Sequence, residues 1–166
     1  MTAPVVAITG AGGGIGSALA HEFGGRGYRL ALADIAPVDA LQRDLEAAGV
    51  ECFSAVVDVR DRADLGAWAA EIDARFGQLD VLINNAGVTT WGALADQDPA
   101  DVDWVLDVNV RGVTHGCHVF VPLLRRAARG HIVNIASMVG RFAMPMQTTY
   151  TASKWAVRGF TRALRI

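Results

Sequence analysis

Apolar residues in this chain follow two alternating rhythms. Short unbroken runs, Val5-Val6-Ala7-Ile8, Arg29-Leu30-Ala31-Leu32-Ala33-Asp34 and Leu79-Asp80-Val81-Leu82-Ile83-Asn84, read as buried strands, and Glu51 to Val57 and His131 to Ser137 add two more. Between them lie stretches that read as helices: Ser17 to Phe23, Pro37 to Ala48 with Gly49 to end it, Pro99 to Leu124, and Tyr150 to Leu164. The stretch from Asp61 to Phe76 repeats Leu65, Trp68, Ala69, Ile72 and Phe76 at helical period before Gly77. Gly112, Gly116 and Pro122 predict a bend in the long fourth helix.

Strands joined by helical crossovers pair in parallel, and a parallel sheet must be covered on both faces. The pattern therefore predicts one doubly wound α/β domain over residues 1–166, without repeats, low-complexity segments or linkers. In such sheets ligands bind beyond the carboxyl ends of the strands, where the order of strands reverses. The unusual residues of this chain fall at those ends.

Composition narrows the partners. A chain of 166 residues that is 52% hydrophobic, with mean hydropathy +0.28, can fill a single core without metals or disulfides. Net charge is −2 and the basic residues are scattered, which sets aside nucleic acid and anionic membranes as partners. No run spans a bilayer and no basic leader precedes the first strand, so a cytoplasmic location is expected. Cys52 and Cys117 form no metal or redox spacing and read as buried thiols of a reducing compartment. His115 and His118 share a helix face at ligand spacing, but no third ligand is evident, so they read as core or surface residues and no metal is expected.

The candidate chemistry begins at Thr9-Gly10-Ala11-Gly12-Gly13-Gly14-Ile15-Gly16, a glycine turn between the first strand and first helix. Helix-start amides and the positive end of the helix dipole suit a diphosphate, and glycines let it approach; a flexible turn is the plain alternative. Asp34, 20 positions after Gly14, can accept hydrogen bonds from ribose hydroxyls and repel a 2′-phosphate, which favours NAD over NADP, as no lysine or arginine sits in the loop or beside Asp34. A capping or turn role fits Asp34 equally. Asp58-Val59 can bind an adenine amino group and ring nitrogen, or serve as a turn or cap. Asn84-Asn85-Ala86-Gly87 suits close approach of a cofactor, or a plain turn.

Tyr150 and Lys154 stand one helical turn apart on one face. A phenol, with a reference pKa of about 10, is a weak base at neutral pH, and a neighbouring ammonium favours its ionised form. Ser137 lacks the glycine-flanked elbow of a hydrolase nucleophile and reads as a group that orients a substrate oxygen. Asn109 is a poor helix-interior residue among apolar neighbours; it either faces solvent or does something its helix does not need.

Together these residues resemble the short-chain dehydrogenase/reductase family, in its compact single-domain branch, over nearly the whole chain. Thr9-Gly10-x-x-x-Gly14-x-Gly16 is similar to its cofactor loop, Asn84-Asn85-Ala86-Gly87 to its fourth-strand motif and Tyr150-Thr151-Ala152-Ser153-Lys154 to its active-site motif, with Ser137 and Asn109 where its serine and asparagine are expected. The resemblance implies a Rossmann fold of strand order 3-2-1-4-5 and a nicotinamide cofactor, NAD before NADP, held by Gly10, Gly14, Ile15, Gly16, Asp34, Asp58, Val59, Asn85, Ala86, Gly87, Tyr150 and Lys154. It implies hydride transfer between that cofactor and a secondary alcohol or ketone. Tyr150 would move the proton, Ser137 position the oxygen, Lys154 hold the nicotinamide ribose, and Asn109 hold a water leading from Lys154 to solvent.

Family members usually continue with two further strands, a helix and a mobile substrate loop, whereas this sequence stops at Ile166. Either the sequence is a fragment of a longer enzyme or it lacks the substrate lid; in the second case a non-catalytic nucleotide-binding or oligomerising module is the alternative reading, and the fifth strand is expected to be an open apolar edge. Thr89, Thr90, Trp91, Met138, Val139, Phe142, Met144 and Met146 are expected to line an apolar substrate pocket. A homodimer or homotetramer is expected through the long fourth helix and the last helix, which carries Ala152, Trp155, Ala156, Val157, Phe160 and Leu164 on more than one side.

Overall fold

The computed structural model describes residues 3–164; Met1, Thr2, Arg165 and Ile166, which the expected domain range includes, lie outside the described residues. Five strands, β1 (Val5–Thr9), β2 (Arg29–Asp34), β3 (Cys52–Val56), β4 (Val81–Asn84) and β5 (His131–Asn134), form one parallel sheet in the order β3-β2-β1-β4-β5. The helices are α1 (Gly14–Gly25), α2 (Asp39–Ala47), α3 (Arg62–Phe76), α4 (Pro99–Leu106), α5 (Val113–Leu124) and α6 (Thr148–Ala163).

Period-2 alternation within the central strands divides the core. Val5, Ala7, Ala31, Ala33 and Leu82 face Leu65, Trp68 and Ile72 of α3 and Phe120 and Leu124 of α5. Val6, Ile8, Leu30, Leu32, Val81 and Ile83 face Ala20 of α1 and Leu45 of α2. Because both faces are covered, the strands read as continuous apolar runs. At the sheet edge β5 keeps Val133 41% exposed. Val157 of α6 packs on Val113 and Cys117 of α5.

Three sequence expectations need correction. Strand β5 ends at Asn134, so Ser137 lies beyond it and caps a short 3-10 turn, Met138–Gly140, by accepting from the Val139 amide at 3.3 Å. The long fourth helix is broken into α4 and α5 by a π-helical segment, Asp107–Gly112, that ends at Gly112, with helical dihedrals on both flanks, and Pro122 lies inside α5. Such a segment inserts one residue into the helical ladder and turns the side chains within it. Asn109 sits there and is wholly buried, which excludes the solvent-facing reading. Val139, expected in a substrate pocket, is 4% exposed and belongs to the core.

Candidate functional site

The reversal point of the sheet lies between β1 and β4, whose following loops meet. Gly10 leaves β1 with φ +66, and a Cβ there would stand 2.8 Å from the Ala86 Cα, so conformation and space both demand glycine. Thr9 and Asn85 lock the junction: Thr9 Oγ1 accepts from the Asn85 and Ala86 amides at 3.1 Å, and Asn85 Nδ2 donates to the Thr9 and Gly10 carbonyls at 3.0 Å. Thr9, whose hydroxyl carries half of this lock, opens the glycine motif but was not counted among the residues expected to hold the cofactor.

α1 starts at Gly14 with Gly13 as its cap, and no side chain caps its first turn. The two glycines of that turn answer to different demands. A Cβ on Gly16 would run into the Gly10 carbonyl oxygen, whereas one on Gly14 would meet nothing within 4 Å. No packing within the chain asks for glycine at 14; its absent side chain keeps open the approach to amides at the positive end of the helix. This cradle fits a diphosphate.

Asp34 closes the loop from the β2 side, accepting from the Gly12 amide at 2.8 Å and the Ala36 amide at 3.4 Å. It serves a turn and still borders the cleft. The turn and cap roles weighed for Asp58 divide between two residues: Asp61 caps α3 through the Ala63 amide at 2.7 Å, and Asp58 Oδ1 accepts from the Arg60 amide at 2.9 Å. The Arg60 guanidinium also grips the Asp58 carboxylate, with Nε at 3.0 Å from both oxygens and Nη2 at 2.6 Å from Oδ2. Hydrogen bonding from Arg60 holds the Asp58 carboxyl below its ordinary value. Val59 packs against Gly112, where a Cβ would fall 2.8 Å from Val59 Cγ2.

A cleft of about 660 Å³ runs along these strand ends. Nine of the expected cofactor residues line it: Gly10, Gly14, Ile15, Asp34, Asp58, Val59, Asn85, Ala86 and Gly87. Gly16 lies buried beneath the loop. Arg60, Val88, Trp104 and Val108 also line the cleft and were missed. Arg60 is the one cation among the described lining residues, so the cleft is not free of positive charge; α3 and the β3 loop had to be in place before that could be seen.

Behind Gly87 the chain assembles its buried polar residues. A Cβ on Gly87 would stand 3.2 Å from Lys154 Nζ and 3.3 Å from Asn109 Oδ1. Lys154 is 4% exposed, its Nζ donates to the Ile135 carbonyl at 3.0 Å and lies 5.6 Å from the centre of the Tyr150 ring. Burial pulls its pKa below the usual 10.5. Asn109 Oδ1 accepts from the Val88 amide at 2.8 Å, and its Nδ2 donates to the Val88 carbonyl at 2.9 Å and to Ser153 Oγ at 3.0 Å. Ser153, itself fully buried, passes a hydrogen bond to the Tyr150 carbonyl at 2.7 Å. The turn carrying Ser137 meets the same helix, since a Cβ on Gly140 would lie 3.0 Å from the Lys154 carbonyl oxygen.

Of the expected substrate residues, Thr89, Trp91, Met138, Phe142 and Met146 are exposed. Their two loops are tied by Gly92 N donating to the Met146 carbonyl at 2.9 Å and by Gln147 Nε2 donating to Thr89 Oγ1 at 3.4 Å. Met146 takes a left-handed backbone, φ +67. His115 is buried and His118 exposed, and no group of three metal-ligating side chains occurs among the described residues. Cys117 is buried as expected, whereas Cys52 is only half-buried, and burial pushes its thiol up to about 11. No helix among the described residues is long and apolar enough to cross a membrane.

Comparison with known proteins places these features in a family. The profile described as short chain dehydrogenase matches residues 4–166. Oxidoreductase UcpA of Escherichia coli is 34% identical over 168 residues, covering 100% of this chain and 64% of that protein. A short chain dehydrogenase/reductase from Burkholderia phymatum, solved with NAD, is 39% identical with TM-score 0.94, covering 96% of this chain and 58% of that one. A metagenomic short-chain oxidoreductase solved with NADP is 36% identical with TM-score 0.89, covering 96% of this chain and 74% of that one. The chain spans 59% to 65% of the length of curated relatives it matches.

Proposed function

Since the chain belongs to the short-chain dehydrogenase family, we propose that it is an NAD-dependent oxidoreductase acting on a secondary alcohol or ketone. The observation that carries this reading is Lys154, a buried ammonium seated between the Tyr150 ring and the Gly87 segment of the cleft. An ammonium is costly to bury and is seldom kept without a task.

A nicotinamide bound in the cleft supplies the hydride donor or acceptor. The first-turn amides of α1 receive its diphosphate, Asp34 the adenosine ribose, and Asp58 and Val59 the adenine. Tyr150 moves a proton to or from the substrate oxygen, which Ser137 orients. Lys154 holds the nicotinamide ribose. Asn109 spends its side chain on Val88 and Ser153, so its part in any proton path to solvent falls to its main chain or to water beside it. Both the NAD and the NADP complexes among the similar structures bear on the cofactor, and the Asp34 carboxylate at the cleft supports NAD. Exposed Ala152, Trp155 and Ala156 on α6 support association of copies through that helix.

The test is Tyr150→Phe assayed against a panel of secondary alcohols and ketones. Turnover should fall by roughly 10²–10⁴-fold while NADH binding, followed by fluorescence, is retained. Retained turnover overturns the assignment. NADH binding without turnover in the unmodified chain points to the non-catalytic module instead.

A further inference from the structure

Arg60 lies beside Asp58 in the cleft and serves no step described above. It borders the cofactor cleft and also a second, open cavity of about 590 Å³ with Asp107, Arg111 and His115. Three hydrogen bonds from its guanidinium and one from its own amide converge on the Asp58 carboxylate, which is left 24% exposed. The Asp58 amide is held in turn by Asp64 Oδ2 at 3.2 Å. Main chain and side chain of Asp58 are therefore both fixed, the carboxylate by a guanidinium that itself borders the cleft.

We infer that Arg60 is a positioning residue for adenine recognition, clamping the Asp58 carboxylate so that its exposed edge accepts from the 6-amino group of the base. This rests on the cofactor reading above. A guanidinium suits the task because its planar fork fixes both position and orientation of a carboxylate, which a lysine ammonium does not. A carboxylate held in this way distinguishes adenine from hypoxanthine, whose 6-oxo group presents an acceptor where adenine presents a donor. The depressed pKa of Asp58 agrees with a carboxylate kept as an acceptor.

The experiment measures dissociation constants of NADH, reduced nicotinamide hypoxanthine dinucleotide and reduced nicotinamide mononucleotide for the unmodified chain, Arg60→Ala, Arg60→Lys and Asp58→Asn. The unmodified chain should prefer NADH over the hypoxanthine analogue by about tenfold, the worth of one charge-assisted hydrogen bond. Arg60→Ala should shrink that preference to about threefold or less, Arg60→Lys should restore only part of it, and the mononucleotide should bind all variants alike. A preference unchanged in Arg60→Ala overturns the inference. Equal weakening of both dinucleotides would mean that Arg60 contacts the base directly or supports the fold, and overturns it too. An unmodified chain that binds none of the three ligands refutes the cofactor reading itself.

Discussion

The side chain of Asn109 closes on the main chain of Val88 in both directions, accepting from its amide at 2.8 Å and donating to its carbonyl at 2.9 Å. The pair is buried on the Asn109 side and pins the segment after β4 to the π-helical turn. Asn109→Asp should therefore cost roughly 2–4 kcal/mol, since the Val88 carbonyl and Ser153 lose their donor while a carboxylate is buried. Urea denaturation measures this. A loss no larger than that of an exposed substitution would show the contact to be incidental.

Gly14 and Gly16 should part company under the same substitution. Gly16→Ala drives a methyl into the Gly10 carbonyl and should lower Tm by several degrees or prevent folding. Gly14→Ala meets open space in a helix and should leave Tm unchanged or slightly raised, yet weaken NADH binding by about tenfold or more through the blocked amides. Calorimetry and fluorescence titration of both variants decide the matter; unaltered binding by Gly14→Ala would remove the diphosphate from this loop.

Asp34 should govern the choice between the two nicotinamide cofactors. In Asp34→Ser the carboxylate that would face a 2′-phosphate is gone, and the ratio of NADPH to NADH dissociation constants should fall by about tenfold or more. Loss of the 2.8 Å bond to the Gly12 amide should also loosen the loop and weaken NADH binding itself. An unchanged ratio would show that Asp34 acts only as a turn residue.

Lys154 should lower stability in a pH-dependent way. Its pKa is depressed by burial in the folded chain, so the folded state gives up its proton before the unfolded state does. Below the folded value both states are charged and the full penalty applies. As pH rises from there toward 10.5 the unfolded state holds more protons, and stability relative to Lys154→Met should climb. Denaturation at a series of pH values measures the difference, and a flat difference would show the ammonium to be fully compensated by the Ile135 carbonyl. The same substitution should remove turnover, a trade of stability against function.

The parallel sheet was legible in the apolar pattern, and its strand order and nine of the cleft residues through the family resemblance. Apolar period follows burial along each element, and both faces of this sheet are buried over β1, β2 and β4. What each side chain touches was decided only by tertiary structure, because partners come from loops far apart in the chain. Asn109 stood out among its apolar helical neighbours, but its partner, the main chain of Val88, came from the segment after β4. Arg60 follows Asp58 and Val59 directly yet was not counted with them, and the β3 loop sets its side chain in the cleft. Ser137 was read at a strand end because Ile135 and Ala136 continue the apolar run of β5, but that ladder ends at Asn134, after which Ile135 donates to the Asn84 carbonyl and Lys154 takes the Ile135 carbonyl. Gly14 and Gly16 are the same residue in one motif; only the packed loop shows that Gly16 makes room for the chain itself and that Gly14 does not.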